Sequence, residues 1–547
     1  MERGRTVRRS MAWLVAIGLL AGACGRSAPS NQATPSGPVS EALATTTPAG
    51  TKPVDRITWG TYREVNSLDP IYAFDYPENT ILSLLCETLL RQQPDGTIEP
   101  GLADLSYTDP THLVFTLKPG ITFWDGNPLT ADDVVFSLKR NMDPSLGGFY
   151  GAVYDRVSSI EASAPNEVTI TLKQPDYWLP GELASTSGWI VEKSYVESKG
   201  KDFGTPTGGT MCTGSYKLES WKPGDVLTVV RNDNYWDPSV HPLVREIDFK
   251  PTPDEASLTS ALLNGGVNGY YGFAMSTIPQ LKQSSSVTVT DGFGWNSDDF
   301  IVSSFDGPLG DVRVRRALSM ALDRQAIIDA VYKGSAVLPK AFTGPGTWGY
   351  GRSVFQQAWN DLPDLTQNID EAKKLVQDAG AVGETITLGM SNELANIAGV
   401  ASAYQAAAEA IGLHVKLKAV SAQNYINFFI DPKYRQGVDG FFTVNYGDYA
   451  DPAALLASFV LPNGSQNYSG YSNPEVTRPL EAARTEADPD KRAQDIAEAQ
   501  KLIMQDLPWI PNVLPNTELI TSSNLTGAVA SFAYMFSPWA NELGGTG

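Results

Sequence analysis

From Glu371 to Ala419 the chain alternates between helix and strand in a way that leaves few folds open. Glu371–Ala379 has helical periodicity and stops at Gly380, and Thr385–Met390 alternates as a strand. Leu394–Ile411 then reads as a long helix closed by Gly412, and Leu413–Ala419 as a second strand with Val415 and Leu417 on one face. Strand, helix and strand at this spacing predict a parallel pair in an α/β sheet. In such sheets ligands gather beyond the carboxyl ends of the strands, where a crevice opens. At 547 residues the chain is too long for one simple core, so two or three lobes are expected.

A second informative stretch lies upstream. Leu113–Leu117 alternates toward a strand with Leu113, Phe115 and Leu117 on one face, and Pro119-Gly120 and Asp125-Gly126 turn the chain twice. Thr130 then starts a helix, with Asp133 three places on. This spacing is that of a capping box, in which the hydroxyl accepts a first-turn N–H while the carboxylate faces the positive end of the helix dipole. Val134, Val135, Leu138 and Met142 follow on one helical face. Nothing in the segment pairs a nucleophile with a base.

The N-terminus reads as an export signal. Arg3, Arg5, Arg8 and Arg9 precede the apolar run Met11–Leu20, which is too short to span a bilayer. The run closes on Leu20-Ala21-Gly22-Ala23-Cys24, which resembles a bacterial lipoprotein box whose Cys24 is acylated after cleavage, with Ala21 where Leu is usual. Gly25–Lys52 is mostly Ser, Thr, Ala, Pro and Gly, the composition of a solvated tether with a reach of roughly 30 Å. Folding is then expected to begin near Val54. With Cys24 lipidated, Cys86 and Cys212 remain, an even number in an oxidising compartment, which predicts a disulfide; the alternative is two separate buried thiols. The formal charge is −20, and the first 24 residues carry four Arg and one Glu, so the remainder stands at −23. Such a surface repels nucleic acid and anionic headgroups and argues against both as partners.

The run from Leu117 to Arg140, LKPGITFWDGNPLTADDVVFSLKR, resembles a signature of the extracytoplasmic solute-binding proteins of ABC importers, in the oligopeptide-, dipeptide- and nickel-binding family (family 5). Other stretches extend the resemblance: DGTIEPGLA from Asp95, GTMCTGSYKLESW from Gly209 with Ser215 in place of Pro, RNDNYW from Arg231, and DVRVRRALSMALDRQAIIDAVYKG from Asp311. The resemblance implies an α/β, two-lobed periplasmic-binding-protein fold of class II with an extra small subdomain, mixed sheets with flanking helices, and a hinge. The implied order is signal peptide 1–24, tether 25–53, first lobe 54–93, small subdomain 94–203, first lobe again 204–303, second lobe 304–508 and first lobe to the end, 509–547. Asn473–Asp506 is expected to be helical, and Leu507–Pro511 resembles the crossing back.

Site residues follow from the same resemblance. Asn445-Tyr446-Gly447-Asp448-Tyr449-Ala450-Asp451-Pro452 resembles the family's GDYxDP, where the acid matching Asp448 pairs with a peptide's α-ammonium. A desolvated carboxylate opposite an ammonium would fix the ligand's end without reading its side chains. Asn445 stands where an aromatic is common, which weakens the link to peptide; a turn-capping role for Asp448 or Asp451 is the alternative. The loop after Leu68-Asp69-Pro70 nominates Phe74, Asp75 and Tyr76, and Tyr150, Tyr154 and Trp348 are further candidates for contact with ligand. The implied function is a monomeric substrate-binding lipoprotein that captures short peptides and passes them to an ABC permease, with no cofactor and no catalysis. A glyco-oligomer or metal chelate stays open as ligand, since Trp189, Trp295 and Trp348 could stack sugars. A secreted glycoside hydrolase needs two carboxylates flanking the bond, and Asp448 with Asp451 does not supply them. His112, His241 and His414 are scattered, which disfavours both a triad and a direct metal site.

Overall fold

The structure, a computed structural model, describes residues 43–272, 274–392 and 394–547. Cys24, the export signal and the tether up to residue 42 lie outside the described residues. A seven-stranded sheet runs in the order Val287–Gly292, Thr517–Ser522, Gly269–Gly272, Val54–Thr61, Val244–Pro251, Val226–Arg231, Tyr216–Lys222. A six-stranded sheet runs Ala336–Val337, Trp509–Pro515, Asn296–Val302, Gly440–Tyr446, Thr385–Met390, His414–Ala419. Both are mixed. Val54–Thr61 pairs in parallel with Val244–Pro251, and Thr385–Met390 in parallel with both His414–Ala419 and Gly440–Tyr446, while Asn296–Val302 pairs antiparallel on both sides. Each sheet has its own apolar core, one holding Trp59, Phe249 and Trp539 and the other Phe300, Phe442 and Trp509. His414–Ala419 is an edge strand, so Leu417 stays exposed instead of joining the core.

A four-stranded antiparallel sheet, Ala103–Asp109, His112–Leu117, Glu167–Leu172 and Val157–Ala164, forms a third body with helix Ala131–Met142 on it. Thr130 and Asp133 make the reciprocal capping box, and Val134 and Leu138 are buried against Phe115, Ile160 and Ile170. The polar side of this helix ties the body down. Asp133 accepts the Lys193 N–H at 3.0 Å, and Arg140 grips Asp69 through two hydrogen bonds of 2.9 and 2.6 Å. Asp69 also caps the turn Pro70–Tyr72, so Leu-Asp-Pro fixes the loop that follows it. A disulfide joins Cys86, which ends helix Tyr76–Leu85, to Cys212, their Cα atoms 4.9 Å apart.

Three expected boundaries move. The chain passes from the seven-stranded to the six-stranded sheet between Gly292 and Asn296 and returns at Asn516, not after residues 303 and 508. Trp509–Pro515 is buried throughout inside the six-stranded sheet, because Trp509 stacks on Phe459 at 4.4 Å before the chain leaves. The two crossings lie side by side, with the Thr517 hydroxyl donating to the Phe293 carbonyl at 3.2 Å. The tether's expected end at residue 53 is also too late. Ala44, Thr47 and Gly50 donate their N–H groups to Asp291, Ala528 and Glu542 at 3.1, 3.2 and 2.8 Å, so this stretch is laid along the first lobe. The helical stretch 473–506 is two helices, Pro474–Thr485 and Pro489–Asp506, because Asp488 caps the second and Pro489 occupies its first turn.

Candidate ligand cleft

Strand Gly440–Tyr446 of the six-stranded sheet ends facing the loop after Pro70, and the residues at this meeting come from both lobes. Tyr446 donates its hydroxyl to the Phe74 carbonyl at 2.9 Å. Its ring lies edge-on to Tyr76 at 5.5 Å and against Phe532 at 5.0 Å. Asn296 donates to the Tyr76 hydroxyl at 2.7 Å. Phe74 is exposed and leans on Phe149, ring centres 4.0 Å apart. Tyr150 is buried and donates to the Ala73 carbonyl at 2.7 Å, so it supports this loop from below; Tyr154 does likewise to Ser187. Asp75 is engaged by Arg63 at 2.7 Å and caps helix Tyr76–Leu85. Asn445 exchanges hydrogen bonds with Gln466 at 2.6 and 3.3 Å.

Asp448 and Asp451 separate cleanly. Asp451 is structural: it caps helix Pro452–Val460 through the Ala453 N–H at 2.8 Å and accepts the Tyr350 hydroxyl at 2.7 Å. Asp448 is held by its main chain, whose carbonyl accepts from Gln92 at 2.8 Å. Its carboxylate receives no hydrogen bond and no ion pair from the described residues. Burial pushes that carboxyl up to about 6. A half-buried carboxylate without a partner is costly unless something outside the chain supplies the charge.

Trp348 does not join this group. It is 5% exposed, stacked 6.2 Å from Phe355 and edge-on to Trp359, inside the core of the second lobe. Trp189 and Trp295 are buried in the other core. Residues with no sequence motif meet the same segment: Gln92 through the Asp448 carbonyl, Asn296 through Tyr76, Phe532 against Tyr446, and Gly181 against Tyr449. The two bodies touch at Gly181, where an added Cβ would stand 2.4 Å from the Tyr449 ring. Gly181→Ala is therefore expected to hold the lobes apart and weaken ligand binding by about 1–3 kcal/mol; calorimetric titration checks this, and unchanged affinity would show that Tyr449 yields. Ion pairs span the same boundary. Arg484 holds Asp155 and Asp176 at 2.7 and 2.6 Å, and Arg156 meets Glu481.

Two lobes joined by paired crossings, with an unmatched carboxylate where they meet, define a protein that encloses a solute between hinged halves. Residues 97–467 match the bacterial extracellular solute-binding proteins, family 5 (middle region), and the chain belongs to that family. It is similar to the periplasmic murein peptide-binding protein MppA of Escherichia coli K12, 27% identical over 474 residues, covering 82% of this chain and 85% of that one. It is also similar to the glutathione-binding protein GsiB of Salmonella typhi, 26% identical over 471 residues, covering 84% and 89%. Its fold superposes on the periplasmic binding protein DppA of Helicobacter pylori, solved with the peptide STSA, with TM-score 0.76, 20% identity and coverage of 91% and 99%. Among the described residues no group of three or more His, Cys, Asp or Glu is placed to hold a metal ion, and no helix is long and apolar enough to cross a membrane.

Proposed function

We propose that the chain is the substrate-binding lipoprotein of an ABC importer, acting as a monomer, which closes its lobes on a short peptide and yields it unaltered to a permease in the cytoplasmic membrane. The observation that carries this reading is the Asp448 carboxylate, desolvated at the meeting of the lobes and unmatched by any described cation. The α-ammonium of a peptide supplies the missing charge through a charge-assisted hydrogen bond. Tyr446, Tyr76 and Phe74 would flank the main chain, Tyr150 would hold their loop, and backbone groups would take the peptide much as a strand is added to a sheet edge. Acylation of Cys24 would keep the protein on the outer face of the membrane, and residues 25–42 would give it reach. The sheets support a division at 293–295 and at Asn516, with the four-stranded body as the small subdomain. No chemistry is assigned, since a binding protein of this kind needs only closure and release.

The relatives' names support a peptide ligand, because MppA is named for a murein peptide and DppA was solved with the peptide STSA. Native mass spectrometry of the purified protein tests the assignment: a co-purified peptide mass supports it, and a glycan or chelate mass overturns it. The pH profile is a second test. Ammonium binding requires ionised Asp448, whose carboxyl titrates at about 6. Affinity is therefore greatest near neutrality, falls by up to about tenfold per pH unit below that value as Asp448 takes up a proton, and falls again above about pH 8 as the peptide's α-ammonium loses its own. Titrations across acidic to neutral pH check it, and a flat profile would remove Asp448 from the ligand.

A further inference from the structure

Asp448 is not the only unmatched acid at this wall. Glu182 ends the short helix Leu179–Glu182, and its Oε2 is buried with no hydrogen-bond partner among the described residues. Two contacts place this turn against the segment that carries Asp448. Gln92 donates both to the Ala184 carbonyl at 3.3 Å and to that of Asp448 at 2.8 Å, and Gly181 lies against the Tyr449 ring. The charged groups around Glu182 are Asp448, Asp176, Asp451 and Arg484, with Tyr150, Tyr154 and Tyr449 beside them. The one cation among them, Arg484, is already shared by Asp155 and Asp176. Burial and the Asp448 charge hold the Glu182 carboxyl well above its usual range.

The charge count has a consequence for the ligand. One α-ammonium offsets one carboxylate and leaves the other acid to stay protonated, because an unpaired buried charge is costly. We propose that Glu182 is a specificity-determining residue that takes a second positive charge from the ligand, so that the cleft prefers peptides whose first residue has a cationic side chain. This rests on the reading that Asp448 holds the α-ammonium. The side-chain ammonium or guanidinium of a first-residue Lys or Arg meets Glu182 once its proton has left to solvent. That proton must be displaced, so the preference grows as pH rises.

The test compares Lys-Ala-Ala with Ala-Ala-Ala by calorimetric titration of the purified protein and of E182Q, at mildly acidic and mildly alkaline pH. The expected result in the wild type is a preference of at least about tenfold for the Lys peptide at alkaline pH, shrinking to below about threefold at acidic pH. In E182Q the ratio should fall to within about twofold at both pH values. Equal affinities in the wild type, a preference that does not change with pH, or a preference that survives in E182Q would each overturn the proposal. If E182Q does not fold, the wild-type ratio and its pH dependence decide alone. If neither peptide binds the wild type, the peptide reading itself fails; if both bind equally, only the role of Glu182 falls.

Discussion

Asp448→Asn weakens the binding of a peptide with a free amino end by about 1.5–3 kcal/mol, roughly ten- to 150-fold in Kd. The amide keeps the size of the side chain and one oxygen that can accept a hydrogen bond, so the loss measures the charge alone. The effect should be large because no described residue shares the load: the carboxylate has no protein donor, and burial already raises it to about 6. An N-acetylated peptide, which brings no cation, should bind the wild type poorly and lose little further in the variant. Calorimetric titration of both peptides against both proteins forms a double-mutant cycle. Equal affinity of wild type and variant for the free peptide would end the proposed role.

Cys86→Ser and Cys212→Ser should each lower stability by about 2–4 kcal/mol, and by similar amounts, because either change removes the same cross-link. The bridge spans 126 residues of sequence, a long loop whose closure restricts the unfolded chain. It also fastens the end of helix Tyr76–Leu85 to the stretch before strand Tyr216–Lys222, and so supports the start of the cleft loop from behind. Both cysteines are buried, at 2% and 0% exposure, so a serine in either place puts a hydroxyl out of reach of water. Thermal unfolding under oxidising conditions checks the loss. Thiol titration of the unfolded, unreduced protein counts the bridge, and two reactive thiols from Cys86 and Cys212 would refute it.

Local chemistry was legible where it repeats or caps. Thr385–Met390 shows strand alternation, and Thr130 with Asp133 announces a helix start, because these signals need only neighbouring residues. Asp448 was legible only through the motif around it; periodicity says nothing about a charge left unpaired. The order of residues 43–53 was hidden because its Thr, Ala and Pro carry no period, and its hydrogen-bond partners are near residues 291, 528 and 545. Trp509–Pro515 is buried on both faces, so it has no alternation to say which sheet it joins. Trp348 sits among Gly and Pro and looks like a rim aromatic, yet helix Arg352–Asp361 supplies the Phe355 and Trp359 that bury it. Glu182 follows a Pro-Gly turn with no motif; only the folded arrangement brings it beside Asp448.

Thr517–Ser522 is the second strand of the seven-stranded sheet, hydrogen-bonded to the edge strand Val287–Gly292 on one side and to Gly269–Gly272 on the other. Those two earlier strands do not pair with each other, so until the ribosome has made the last thirty or so amino acids they remain open templates. The lobe begun first is thus the one finished last. A premature stop codon ahead of Thr517 would leave a product with two sticky margins in place of a closed body.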